Sequence, residues 1–280
     1  MNAPTPAERS RGVAAIFDRV ADTYDAVGVE WFRPIAARLV ELAEPAPGED
    51  AVDLGCGRGA ALFPLAEAVG AGGRVAGVDL AARMIELTQA DVYARGLDRV
   101  DLHVADVASP GLGQRQFDLA VSSLVIFFLP DPAAALQTWR ELLLPGGRLA
   151  VSTFVDRDPL WVEVDAIFRP YLPAELLDAR TSGENGPFAS DEGVEALFAD
   201  AGFTDVRTVH GAVDVTLADV REWQTWSRSH AQRAMWDAVP ADEHPALLER
   251  VDAVLAGARG SDGRIRLHQT IRYTLGRRAS

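Results

Sequence analysis

Val52-Asp53-Leu54-Gly55-Cys56-Gly57-Arg58-Gly59-Ala60 is the stretch on which the reading of this 280-residue chain turns. An apolar run broken by Asp53 enters three glycines at alternate positions. An apolar helical period (Leu62, Phe63, Leu65, Ala66, Val69) follows at once. That order predicts a buried strand, a tight turn and a helix whose N-terminus faces the turn. Glycine permits positive φ and lets a ligand approach the main chain closely. The helix start adds unpaired N–H groups and a partial positive charge. A glycine turn with no ligand is the plain alternative.

Working outward, Gly73–Asp79 reads as a second strand ending in an acid, 24 residues after Gly55. A carboxylate there can accept from both ribose hydroxyls of an adenosine, or simply cap the helix predicted over Ala81–Ala94. Val100–Asp106 predicts a third strand with Val100, Leu102 and Val104 on its inward face and His103 turned away. Phe117–Leu124 predicts a fourth, with Ser122 and Ser123 at the carboxyl end, where ligands bind in open α/β sheets. Asp131-Pro132 supplies an N-cap and an N1 proline for a helix over Ala133–Leu143. A Leu-Pro-Gly-Gly turn then leads into strand five, Arg148–Phe154.

Gly55, Gly57 and Ala60 alone also satisfy the dinucleotide fingerprint, which leaves an NAD-dependent oxidoreductase open. The fuller set is Asp53-x-Gly55-x-Gly57-x-Gly59, Asp79, Asp106 and Pro145-Gly146-Gly147. In that order it resembles the class I S-adenosylmethionine-dependent methyltransferases. The string Phe17-Asp18-x-x-Ala21-x-x-Tyr24-Asp25 resembles the lid of those related to ubiquinone and menaquinone biosynthesis enzymes. The resemblance implies an α/β fold: a Rossmann-like, seven-stranded, mostly parallel sheet of order 3-2-1-4-5-7-6, with helices on both faces and a helical cap. It implies S-adenosyl-L-methionine as cofactor, held by Tyr24, Asp53, Gly55, Gly57, Gly59, Asp79, Leu80, Met84, Asp106, Val107 and Ser122. Asp106 would accept from the adenine amino group, with the Val107 N–H on the ring.

The same resemblance divides the chain into a lid (1–48), a core (49–155, 189–216 and a final strand in 261–280) and two cap insertions (156–188 and 217–260). Ahead of the core, helices are expected over Arg9–Ala26 and Trp31–Leu42, with residues 1–8 a loose tail. Ser190–Ala201 and Phe203–Val209 fit the last core helix and strand six. Arg264–Leu275 fits strand seven, with an alternation that slips near Gln269 and suggests a bulge. The helix expected over Asp219–Trp236 places Trp223, Trp226, Ser227, His230 and Ala234 within one face.

Aromatic density marks Phe127, Trp161, Phe188, Trp223 and Trp226 as candidate lining of an acceptor pocket. His230 is the candidate base, with Glu163 the second, although Glu163 lies opposite the apolar face of its own helix. A methyl acceptor needs a base only if it must lose a proton. The expected activity is methyl transfer to oxygen, nitrogen or carbon of a small, largely apolar or aromatic metabolite. C-methylation of an isoprenoid in an aromatic-lined pocket and a non-catalytic cofactor-binding role are the alternatives.

Net charge is −14, and all 27 basic residues are arginine without a basic stripe, so no nucleic-acid partner is expected. No His, Cys or acid cluster has metal-ligand spacing, so no metal is expected. Cys56 is the single cysteine, which rules out an internal disulfide. The longest apolar run is too short for a membrane span. No secretion-signal core appears, so a cytoplasmic enzyme is expected, with homodimerisation left open.

Overall fold

The computed structural model describes residues 5–155, 159–172 and 186–280. Seven strands form one sheet: β1 (Asp50–Leu54), β2 (Arg74–Asp79), β3 (Val100–Val104), β4 (Phe117–Ser123), β5 (Leu143–Phe154), β6 (Phe203–Leu217) and β7 (Ile265–Arg278). Their order is β3-β2-β1-β4-β5-β7-β6, the order expected from the sequence. The first five pair in parallel, and β7 runs antiparallel between β5 and β6. The reversal of order beside β1 opens a crevice at the carboxyl ends of β1, β2 and β4, where a ligand can reach backbone and side chains together.

The helices are α1 (Pro6–Val20), α2 (Phe32–Ala43), α3 (Leu62–Val69), α4 (Ala82–Ala94) and α5 (Pro132–Leu142) in the first half. In the second half come α6 (Pro159–Phe168), α7 (Asp191–Asp200), α8 (Val220–Arg228), α9 (Arg233–Asp237) and α10 (His244–Leu255). Alternation along the strands feeds two apolar layers. Val52, Leu54, Ala120, Leu149 and Val151 pack with α5 and α7 on one face. Ala51, Leu119, Val121 and Ala150 pack with α2 and α3 on the other, a layer that continues into α6, α8, α9 and α10 as a cap.

Several boundaries depart from the sequence reading for identifiable reasons. Helix α1 starts three residues early because Thr5 and Glu8 close a reciprocal capping box, so part of the expected tail is helical. It stops at Val20, and Tyr24 sits in the turns that follow. Strand β6 runs eight residues past Val209, since β7 offers a continuous partner as far as Ile265. No bulge lies at Gln269, which pairs in register with Val213; the irregularity is between Thr204 and Arg207. The alternation of β7 fades after Thr270 because both faces are covered there. Val104 is 55% exposed, not inward: it is the last residue of β3, which is an edge strand of the sheet.

The helix expected over Asp219–Trp236 is two helices. Ser227 Oγ donates to Gln224 O and Ser229 Oγ to Trp226 O, so hydroxyls satisfy the carbonyls where the first helix ends. Trp236 Nε1 then donates to Ser227 Oγ at 2.9 Å, folding α9 back on α8. Of the expected cap insertion 156–188, residues 156–158 and 173–185 lie outside the described residues.

Candidate functional site

The glycine turn follows β1 as expected. Gly55 (φ 89°) and Gly59 (φ 82°) have left-handed backbones. A Cβ on Gly55 would come within 2.3 Å of Val125 Cγ2, and one on Gly59 within 2.3 Å of the Phe63 ring. The turn is fixed by its surroundings: Gly55 N–H and Cys56 N–H both donate to Val78 O, at 2.8 and 3.0 Å. Thr88 Oγ1 donates to Gly57 O at 2.8 Å and accepts from Arg58 Nη1 at 3.4 Å. The buried Cys56 thiol packs over Gly77, and burial pushes its pKa well up, which leaves it an inert filler.

Asp79 faces the turn from the end of β2. Its Oδ2 accepts from Gly57 N–H at 2.8 Å and its Oδ1 from Ala81 N–H at 2.9 Å. Burial raises its pKa, those two backbone bonds oppose the rise, and Asp18 on α1 adds to it. Each oxygen keeps lone-pair capacity toward the crevice. Asp106 at the end of β3 bonds Ala108 N–H through Oδ1 at 2.9 Å, leaving Oδ2 for a ligand. Val107 O accepts from Trp139 Nε1 at 2.8 Å, which holds the peptide in place beside it.

A cleft at these strand ends is lined by Tyr24, Gly55, Gly57, Asp79, Leu80, Met84, Asp106 and Val107, all named above as candidate cofactor ligands. Helix α1 closes it with Ser10, Val13, Ala14 and Phe17. Asp18 of α1 accepts the Arg83 N–H at the start of α4 at 2.8 Å, and Arg83 Nη2 pairs with Asp22 at 2.7 Å, so the lid is pinned to the core. Three expected ligands stand off the cleft. Gly59 packs under Phe63. Ser122 points away and donates to Leu54 O at 2.8 Å, while Ser123, one residue on, lines the cleft. Asp53 is buried beneath the turn, only 1% exposed. Among the described residues no cationic side chain lines the cleft. Those carboxylate acceptors suit a ligand rich in hydroxyl and amino groups with positive charge, as an adenosyl sulfonium amino acid is. A dinucleotide pyrophosphate would find no counter-charge there.

A second cavity, about 710 Å³, opens beneath the cap and shares Val13, Phe17, Tyr24, Leu124 and Phe128 with the first. Among the described residues ten aromatic side chains line it, Phe127, Trp161, Phe188 and Trp226 included. Trp226 meets Trp31 at 5.4 Å, Trp161 at 5.7 Å and the His230 ring at 4.9 Å. His230 lines the cavity, with the Gln232 N–H directed at its Nδ1 at 3.4 Å. Trp223, expected beside them, is core: it packs on Trp236 at 5.9 Å and is 1% exposed. Glu163 is exposed on the far side of α6, and Asp165 of the same helix lines the cavity instead.

Sequence reasoning missed Trp31, Phe32, Thr153, Asp165, Gln232 and Gln269 as lining residues. The adjacent Trp31-Phe32 pair, directly after the connector that carries Tyr24, was the available signal. Tyr24 stands in the wall common to both cavities and stacks on Phe32 at 4.4 Å. Burial, with Asp25 and Asp79 nearby, pushes its pKa well up and keeps it a neutral phenol.

Comparison with known proteins agrees with this geometry. A family profile described as a methyltransferase domain matches residues 52–151. The chain is 36% identical over 279 residues to nocamycin O-methyltransferase of Saccharothrix syringae, covering 94% of this chain and 97% of that one. It is 43% identical over 166 residues to aklanonic acid methyltransferase of Streptomyces sp. strain C5, covering 59% and 76%. In fold it is similar to a Haemonchus contortus phosphoethanolamine N-methyltransferase 2 solved with phosphomonomethylethanolamine and S-adenosylhomocysteine (TM-score 0.62, 15% identity, 99% of this chain and 61% of that chain). No helix among the described residues is long and apolar enough to cross a membrane.

Proposed function

The chain belongs to the class I S-adenosylmethionine-dependent methyltransferases, and from that premise we propose that it methylates an oxygen of a flat, largely apolar natural product held beneath the cap. The observation that carries this reading is the shared wall: an aromatic chamber of about 710 Å³ adjoins the acid-lined cleft at Tyr24, Phe17, Leu124 and Phe128. That volume suits a multi-ring acceptor better than a one-carbon amine. The relatives named for nocamycin and aklanonic acid support a natural-product acceptor, and the first aligns over cap and core alike.

Bound S-adenosylmethionine supplies a methyl group already activated on a sulfonium. The protein's part is to hold, orient and exclude water. Asp79 would hold the ribose hydroxyls through its two oxygens, Asp106 would hold the adenine amino group, and the Val107 N–H would meet the ring. Leu80 and Met84 border the same cleft. Helix α1 and Tyr24 close the cleft from above, and Tyr24 sets how close an acceptor comes to it.

In the chamber, Trp31, Trp161 and Trp226 form a cluster of indoles that stacks a planar acceptor. Phe127 and Phe188 line the same chamber, their rings 6.4 Å apart. His230 is the chamber's titratable nitrogen base, placed by Trp226 and Phe32 to meet an acceptor oxygen and take its proton.

The test is transfer from methyl-labelled donor to a panel of hydroxylated polycyclic aromatics, followed by mass spectrometry of the products. One added methyl on oxygen is expected. Label on carbon, or transfer to small amines alone, would overturn the acceptor assignment.

A further inference from the structure

Two acids end neighbouring parallel strands under the glycine turn: Asp53 on β1 and Asp79 on β2, with Asp53 paired in register to Gly77. They are held differently. Asp79 accepts two backbone N–H groups. Asp53 is 1% exposed, and neither of its oxygens closes a hydrogen bond within the described residues, although the Leu62 N–H bears on it. The charged and titratable groups around the pair are few. Cys56 contributes a thiol from the turn, Tyr24 a neutral phenol from the connector after α1, and Asp18 a further acid from α1, while α3 brings the apolar Leu62. No cation lines the cleft among the described residues.

Two carboxylates cannot both keep their charge at such a site without a cation. The one with two N–H donors holds the negative charge better, and the one without takes the proton. We propose that Asp53 and Asp79 share one proton while the cleft holds no donor, that it rests on Asp53, and that binding of the cationic donor expels it to solvent. The inference rests on the assignment of the cleft to S-adenosylmethionine. Burial first, and the Asp79 charge second, push the Asp53 pKa up to about 8. The donor's ammonium and sulfonium bring the positive charge that the proton had supplied.

The consequence is a donor affinity that depends on pH. When a group is protonated in the free protein and ionised in the complex, affinity falls about tenfold for each pH unit below its pKa. The Asp53 carboxyl is therefore a charge sensor. It resists a neutral or anionic ligand, which cannot displace the proton, and admits a cation, which can.

Isothermal titration of the full chain with S-adenosylmethionine itself, which carries both the ammonium and the sulfonium, tests this. Titrations at pH 7.0 in phosphate and in Tris, buffers of different ionisation enthalpy, count protons. Close to one proton released per ligand is expected, shrinking as pH rises to 8.5, with affinity weakening about tenfold from pH 7 to pH 6. In Asp53→Asn, release should vanish and affinity should vary less than threefold over pH 6.0–8.5. Equal enthalpies in the two buffers for wild type would overturn the shared proton. So would undiminished release in a folded Asp53→Asn. Should that variant not fold, the wild-type buffer pair and pH series decide the matter alone. Binding without proton release defeats only this inference, whereas no binding at any pH defeats the donor assignment beneath it.

Discussion

Removing the Asp79 carboxylate is the sharpest perturbation of the donor cleft. Its two oxygens each accept one backbone N–H, from Gly57 at 2.8 Å and Ala81 at 2.9 Å, and each has one direction left for a ribose hydroxyl. Charge-assisted bonds of this kind are worth about 1.5–3 kcal/mol each. The Gly57 and Ala81 N–H groups lose their acceptor in both free and bound protein, so that cost falls on stability and largely cancels in binding. Water reaches the cleft, which argues for the lower end, a loss of about 3 kcal/mol for the two bonds together. That is a donor Kd about 150-fold higher in Asp79→Ala. Titration calorimetry with S-adenosylhomocysteine measures the change, and circular dichroism with thermal melting confirms that the variant is folded. Asp106→Ala, which removes one contact, should raise Kd by about tenfold. A folded Asp79→Ala binding within threefold of wild type would refute the argument and leave Asp79 as a brace for the entry to α4.

Trp226→Ala should raise the acceptor KM several-fold through lost stacking, whereas Trp223→Ala, which empties a core site, should cost about 3–5 kcal/mol of stability and leave KM unchanged in the folded fraction. Comparing Tm with KM for the two separates chamber from core. His230→Ala should lower kcat about 100-fold or more with the donor Kd unchanged, if the imidazole takes the acceptor's proton; steady-state kinetics and calorimetry on the same preparation check both. Asp25, paired with Arg33 at 2.9 Å, has its pKa raised to about 6, burial being the first cause. Because that value lies above the unfolded one, the native state holds the extra proton. The Asp25 contribution to the unfolding free energy should therefore fall as pH rises from about 4 to about 6 and level off above. Denaturation midpoints of wild type and Asp25→Asn across that window should converge at low pH and separate, in favour of Asn, at pH 7.

The lining of the cleft was legible because it is written in backbone and in consecutive residues. A glycine turn, an acid at the end of β2 and another at the end of β3 keep their spacing whatever packs around them. The errors there are errors of parity. Ser122 and Ser123 differ by one position at a strand end, and that flips one to the Leu54 carbonyl and the other to the cleft. Asp53 obeys the same rule, since its alternation with Val52 and Leu54 sends it under α3.

The acceptor half was less legible because tertiary contacts decide it. Trp223 and Trp226 share an apolar face by period, yet only the second meets the chamber, since Trp236 folds back onto the first. The helical period runs unbroken through Ser229–Gln232 in sequence, and only the serine back-bonds end α8 there. Glu163 and Asp165 are two residues apart on α6. Which of them reaches the chamber depends on where α10 presses that helix.

A crystal structure of the chain with S-adenosylhomocysteine and a polycyclic acceptor tests the two-cavity account most directly. The account predicts ribose hydroxyls on Asp79, the adenine amino group on Asp106, and the acceptor stacked beneath Trp226. Its reactive oxygen should face the donor sulfur past Tyr24. An adenosine bound elsewhere, or an acceptor seated outside the aromatic chamber, would contradict it.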